Sequence, residues 1–178
     1  MPMIEIKLLD LLRYKKFGTI ELGETKQKVI EVLGEPDGYS NPDFNPLYYD
    51  AILFDRFEFN FRNNRLNSIS NGYILSLRTW RFNRKFHYKN DHFQVTSWIK
   101  KPWIDARLEN FKRKLEQENI RFKEEPFFDS MKLTVGANLE LLFCSKLSYH
   151  KEPNEWINLD PKVLNLRFSH FFLFIPEK

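Results

Sequence analysis

Apolar spacing along the chain passes from a helical period to a strand period, and does so twice. Ile4, Leu8, Leu11 and Leu12 recur at helical intervals and predict an amphipathic helix over residues 3–15. Phe17-Gly18-Thr19-Ile20 reads as a short extended link. A second helix is predicted at 25–33. Thr25 offers an N-cap hydroxyl, while Val29, Val32 and Leu33 share an apolar face. Gly34 accepts a left-handed C′ conformation and Pro36 blocks continuation. Pro36, Gly38, Pro42 and Pro46 mark a loop over 35–47.

Period two starts at Ile52. Phe57, Phe59 and Phe61 alternate with Glu58 and Asn60, which predicts one half-buried strand over 52–61. Asn63-Asn64 suits a tight turn because Asn tolerates positive φ. Residues 66–77 return as the partner strand, interrupted at Asn71-Gly72. Over 78–95 an extended strand or twisted hairpin fits best. Pro102 then opens a long helix over 102–119, with Ile104, Leu108, Phe111 and Leu115 on its apolar face and mixed charges outside. Three extended runs complete the pattern. Ile120 to Glu124 comes first; Met131–Val135 and Leu139–Cys144 are joined at Gly136-Ala137-Asn138; Val163 to Ile175 closes the sheet with Phe168, Phe171, Phe172 and Phe174 crowded together. Tyr149 to Asp160 is a loop or short helix.

These elements predict an α+β protein, an antiparallel sheet with helices packed on one face, in one compact domain over 1–178. Each half reads as a helix followed by a meander. Two related α-β-β units in tandem, dividing the chain at 1–77 and 78–178, therefore stand beside ordinary α+β architecture as alternatives.

Composition adds one unusual feature. Aromatic residues make up 16% of the 178 positions, with 18 Phe, while Ala is confined to Ala51, Ala106 and Ala137. A compositional bias of the genome and an aromatic binding surface both account for it. The net charge of +4 permits nucleic-acid binding without demanding it. A single cysteine, Cys144, excludes an intrachain disulfide and a Cys-rich zinc site, and its apolar neighbours point to an inert core residue. No run approaches a membrane span. Glu5 and Asp10 interrupt the apolar start and no cysteine lies nearby for lipid attachment, so a cytoplasmic protein is expected.

Gly23-Glu24-Thr25, Val29 and Leu33-Gly34-Glu35-Pro36 together resemble the G-x-T…V…G-x-P pattern of the BamE/SmpA-like domain family. That fold pairs short helices with a three-stranded antiparallel sheet and recurs in the tandem units of beta-lactamase inhibitor proteins. The resemblance covers about residues 17–70, and the aromatic strand comes where the family's first strand should. It implies a binding module rather than an enzyme. The pattern also resembles small bacterial proteins encoded beside toxins, which implies an immunity or inhibitor role. The chain departs from the family's lipoproteins in lacking a signal and a lipidated cysteine.

No catalytic, cofactor-binding or metal-binding constellation emerges. His87 and His92 are five apart without a completing carboxylate, and His150 and His170 are isolated. Gly34-Glu35-Pro36-Asp37-Gly38 lacks the Lys-Ser/Thr of a phosphate loop. Asp50, Asp55, Glu58, Glu124 and Glu125 show no spacing for shared acid–base work and read as solvated surface.

The candidate site is the basic-aromatic segment. Arg78, Arg81, Arg84, Lys85 and Lys89 interleave with Trp80, Phe82, Phe86 and Tyr88. Three readings stand: a strand with rings inward, a protein interface, and a nucleic-acid surface that stacks bases and pairs phosphates. Trp98, Trp103 and Lys100-Lys101 would extend the same surface. The expected function is a cytoplasmic protein-binding module that blocks a partner, anchored by Arg78, Trp80, Arg81, Arg84, Lys85 and Tyr88, with an acidic partner face preferred. Nucleic-acid binding through 78–89 is the alternative.

Overall fold

A computed structural model describes residues 3–40, 50–54, 57–71, 88–100, 102–127, 130–144 and 167–176. The chain is a mixed α+β protein dominated by strands. Its first element corrects the sequence expectation. Ile4–Lys7 is strand β1, and helix α1 begins only at Leu8, ending at Tyr14. The four-residue gap from Ile4 to Leu8 suits a helix, but residues 4–7 gain a parallel partner in β7 (Phe93–Thr96), with Ile6 opposite Val95 in the core. Long-range pairing outweighs a local spacing signal here.

Helix α2 spans Lys26–Leu33 as the sequence predicts. The Thr25 hydroxyl accepts from the Lys28 N–H at 3.2 Å, and Val29 and Leu33 are buried. The predicted strand over 52–61 is instead a hairpin of β3 (Asp50–Phe54) and β4 (Phe57–Arg62), closed where Phe54 faces Phe57. Asn63 and Asn64 turn β4 into β5 (Arg65–Ser70) with φ of 52° and 57°, as a two-residue hairpin turn of the I′ type requires. The loop expected over 35–47 holds a short strand, β2 (Gly38–Ser40), and its remainder lies outside the described residues.

β6 (Tyr88–Lys89) and β7 form a hairpin whose turn is held by Asn90: its Oδ1 accepts from the N–H groups of His92 and Phe93 at 2.8 and 2.7 Å. The long helix predicted over 102–119 is two helices, α3 (Pro102–Asp105) and α4 (Leu108–Gln117). Arg107 between them is extended, with φ −67° and ψ 143°. The break buries Ala106 and turns Ile104 outward at 41% exposure, so the true apolar face is Leu108, Phe111 and Leu115. Asn110 stabilises the break by donating from Nδ2 to the Ile104 carbonyl at 2.9 Å. The later strands are β8 (Lys123–Phe127), β9 (Ser130–Val135), β10 (Leu139–Cys144) and β11 (Arg167–Phe174). β8 starts later than the run predicted from Ile120, and the hairpin at Gly136-Ala137-Asn138 is present as predicted. The excursion over 149–160 lies outside the described residues.

Two sheets result. β1, β7 and β6 form a small one containing the parallel β1–β7 pair, and the large one is antiparallel in the order β2-β3-β4-β5-β11-β10-β9-β8. The large sheet thus holds two four-strand meanders whose final strands, β5 and β11, lie side by side. Alternation along each strand sends Phe57, Phe59, Phe61, Ile69, Leu133, Leu139, Leu141, Phe171 and Leu173 into one core with Leu11, Val29, Leu33, Phe111 and Leu115 of the helices. The core is joined by edge-to-face rings, including Phe17 on Phe59 at 5.1 Å and Phe111 on Phe143 at 5.2 Å.

Candidate functional site

The segment 23–36 is tied down by its neighbours. The Gly23 N–H donates to the Leu66 carbonyl at 2.7 Å and the Leu66 N–H to the Glu24 carbonyl at 2.8 Å, so the approach to α2 is zipped onto the start of β5. Gly34 departs from the predicted cap. Its φ of 85° is positive, but its ψ of −171° belongs to an extended conformation that only glycine adopts readily, not to the left-handed helical region. A side chain at 34 would also overlap the imidazole of His92. An open groove of about 720 Å³ lies beside this contact, between α2 and the two hairpin turns that carry Asn64 and His92. Lys26 at its rim is held by Asp50 at 2.7 Å. No cluster of metal-ligating side chains occurs among the described residues.

Of the predicted interface residues, Arg78, Trp80, Arg81, Arg84 and Lys85 lie outside the described residues. Tyr88 is described and half-buried. Its ring packs on Phe93 at 5.0 Å and Phe57 at 6.0 Å, and its hydroxyl donates to Asp37 Oδ2 at 3.1 Å. Trp98, expected to extend an exposed aromatic surface, turns inward instead and packs on Phe111 at 5.0 Å, because it joins the rim of the core. Lys101 lies outside the described residues. Cys144 is a free thiol, half-buried, accepting from Ser130 Oγ at 3.4 Å.

The large sheet's other face carries the features that the sequence reading passed over. Phe171 and Leu173 point into the core, so Phe172 and Phe174 point the opposite way. Their rings stack at 5.3 Å with 22° between planes, and Phe172 keeps 38% of its surface exposed. Register carries one row across the sheet through Phe172: Thr134, Glu140, Phe172, Ser70 and Glu58 stand on successive strands from β9 to β4. Ser68 and Asn60 continue the row that starts at Phe174. Toward β8, Lys132 is shared between Glu125 and Glu140, each at 2.9 Å, and its ammonium lies 5.5 Å from the Phe127 ring. These hydrogen bonds hold the Glu125 carboxyl below its ordinary range, chiefly through Lys132 and then Lys123, and raise Lys132 through Glu125 and Glu140. Glu58 has no ion-pair partner among the described residues.

This face was legible only in part. The run Phe171-Phe172-Leu173-Phe174 is apolar at every position, which is the mark of a strand with apolar groups on both faces. Which of the four rings would be exposed depends on pairing with β5 and β10, and Glu58 was assigned to ordinary solvated surface.

No known protein family, curated protein or solved structure matches the chain. No helix among the described residues is long and apolar enough to cross a membrane.

Proposed function

We propose that the protein is a cytoplasmic binding module that blocks the surface of a partner protein, as an immunity or inhibitor protein does. The observation that carries this is the stacked Phe172–Phe174 pair, standing on the face opposite the buried rings at the junction of the two meanders. An exposed aromatic anchor ringed by polar groups is the usual anatomy of a protein-binding hot spot. The face carries both signs of charge, with Glu58, Glu125 and Glu140 beside Lys123 and Lys132, which suits a protein partner better than a phosphate track.

The same proposal takes the helices to lie on one face of the large sheet and the chain to be two related units in tandem. Two features support it. α2 precedes the meander β2-β3-β4-β5 as α4 precedes β8-β9-β10-β11, and the N-cap residues of both helices, Thr25 and Arg107, sit in isolated β-bridges. Contacts from α4 reach the sheet on its core side, through Phe111 to Phe143 and through Lys112 to Glu124 at 2.7 Å. Such a plan agrees with the BamE/SmpA-like resemblance of residues 17–70. The lone unoxidised thiol of Cys144 suits a reducing compartment. The basic-aromatic segment, with Arg78, Trp80, Arg81, Arg84, Lys85 and Tyr88, remains a second contact, favouring an acidic patch on the partner.

Affinity capture from native lysate tests this. A stoichiometric protein should be retained and then lost in the Phe172→Ala variant, with a separate loss in Trp80→Ala/Arg84→Ala. Retention of nucleic acid alone, weakening steeply with salt, would replace the proposal with the nucleic-acid one.

A further inference from the structure

We infer that the outer face holds a furrow built to receive one cationic side chain, an arginine above all, from the partner. This rests on the binding function proposed above and names the chemistry of one contact. The furrow runs along β5. Its floor is Ser68 and Ser70, whose side chains are too short to fill the space above them. One wall is the stacked Phe172 and Phe174 of β11, and the other is Glu58 and Asn60 of β4. Two strand spacings separate the walls, about 10 Å between backbones. That is wide enough for a guanidinium to lie on the phenyl faces and reach the opposite carboxylate.

The charges fix the sign of the occupant. Phe172 stands between two carboxylates in one register row, Glu140 on one side and Glu58 beyond Ser70 on the other. Glu140 is already shared with Lys132 at 2.9 Å. Glu58, half-buried, has no ion-pair partner among the described residues, so the furrow itself lacks a cation. A phenyl face beside an unpaired carboxylate attracts cations twice, through the ring quadrupole and through charge. An acidic or purely apolar group would leave Glu58 opposed or unpaired. Arginine is favoured over lysine because its planar guanidinium stacks and hydrogen-bonds together.

The test is an amide-resolved NMR titration of the intact protein with the pentapeptide Gly-Gly-Arg-Gly-Gly, set against the same peptide carrying citrulline, lysine or glutamate in the middle. The arginine peptide should shift the resonances of Glu58, Ser70, Phe172 and Phe174, the lysine peptide less, and citrulline and glutamate hardly at all. Glu58→Gln should weaken the arginine response roughly fivefold, the scale of one partly exposed charge contact, and Phe172→Leu should weaken it comparably. Both variants must keep the parent spectrum elsewhere, which separates lost binding from lost folding. Equal responses to arginine and citrulline, no response at these four residues, or no effect of Glu58→Gln overturns the inference. A response to the glutamate peptide, or shifts that follow protein concentration without peptide, overturns it in favour of an acidic partner or a second copy. A captured partner indifferent to Glu58→Gln would sink the furrow and leave the binding function standing.

Discussion

The imidazole of His92 occupies the space in which a side chain at Gly34 would begin. The two residues belong to different hairpin-and-helix neighbourhoods, and their contact joins the end of α2 to the turn between β6 and β7. Gly34 is therefore constrained twice, by its backbone angles and by its neighbour. Gly34→Ala should destabilise by about 1–3 kcal/mol through the backbone alone, with overlap adding to it. His92→Ala in the same chain should recover the overlap part and none of the backbone part. Urea unfolding of the two single variants and the double variant separates the contributions; full additivity would show that His92 simply moves aside.

Asn71 follows β5 and carries a bond that spans the junction of the two meanders. Its Oδ1 accepts from the Phe171 N–H at 2.7 Å, and Asn71 is 3% exposed. Replacing it by alanine leaves a buried donor without a partner, which costs about 1–3 kcal/mol. Asn71→Asp should be tolerated better at neutral pH than at acid pH, because the carboxylate accepts this bond well. Denaturant midpoints across pH provide the check, and a loss below 0.5 kcal/mol, the scale of an ordinary surface change, would show that the N–H finds another acceptor.

Elements closed by local chemistry were legible from sequence. The cap at Thr25, the paired asparagines at 63–64 and the turn at 136–138 each specify their own conformation, and all three stand where predicted. The misses share a different cause. β1 was hidden because its partner β7 lies some ninety residues away in the chain, beyond any local period. The division of α3 from α4 falls at Ala106-Arg107, residue types that do not ordinarily break a helix, and only burial of Ala106 explains it. The β3–β4 hairpin turns at Asp55-Arg56 without a Gly or Asn to announce it. The outer-face pair Phe172 and Phe174 was visible as apolar residues, but the face they occupy is set by register with β5.

The Asn63-Asn64 turn allows a prediction of opposite sign. Both residues have positive φ, and the second position of this turn favours glycine. Asn64→Gly should leave stability unchanged or raise it by a few tenths of a kcal/mol, whereas Asn64→Val should lower it by about 1 kcal/mol because a branched side chain resists positive φ. Thermal unfolding of both variants would show the contrast, and equal melting temperatures would mean that the turn refolds around the new residue.

Carboxylates in ion-pair networks set the acid limb of stability. The Glu118 carboxyl is held below its ordinary range, first by its hydrogen bond from Lys114 and then by Arg13, which reaches it at 2.8 Å from α1. Glu125 is held down by Lys132 and then Lys123. A lowered folded-state value means the unfolded chain binds protons first. The stabilisation is therefore complete above the ordinary carboxyl value near pH 4.3 and disappears as pH falls through the folded value. The lysines behave conversely. Lys112, raised chiefly by Glu124, and Lys132, raised chiefly by Glu125, contribute below the ordinary ammonium value near pH 10.4 and lose that contribution as pH rises through the folded value. Glu118→Gln and Glu125→Gln should each flatten the acid side of the pH–stability curve, and high salt should flatten it further because both sites are solvent-exposed. Chemical denaturation between pH 3 and 7 reads this directly. An acid limb as steep in the double variant as in the parent would assign the dependence to other carboxylates.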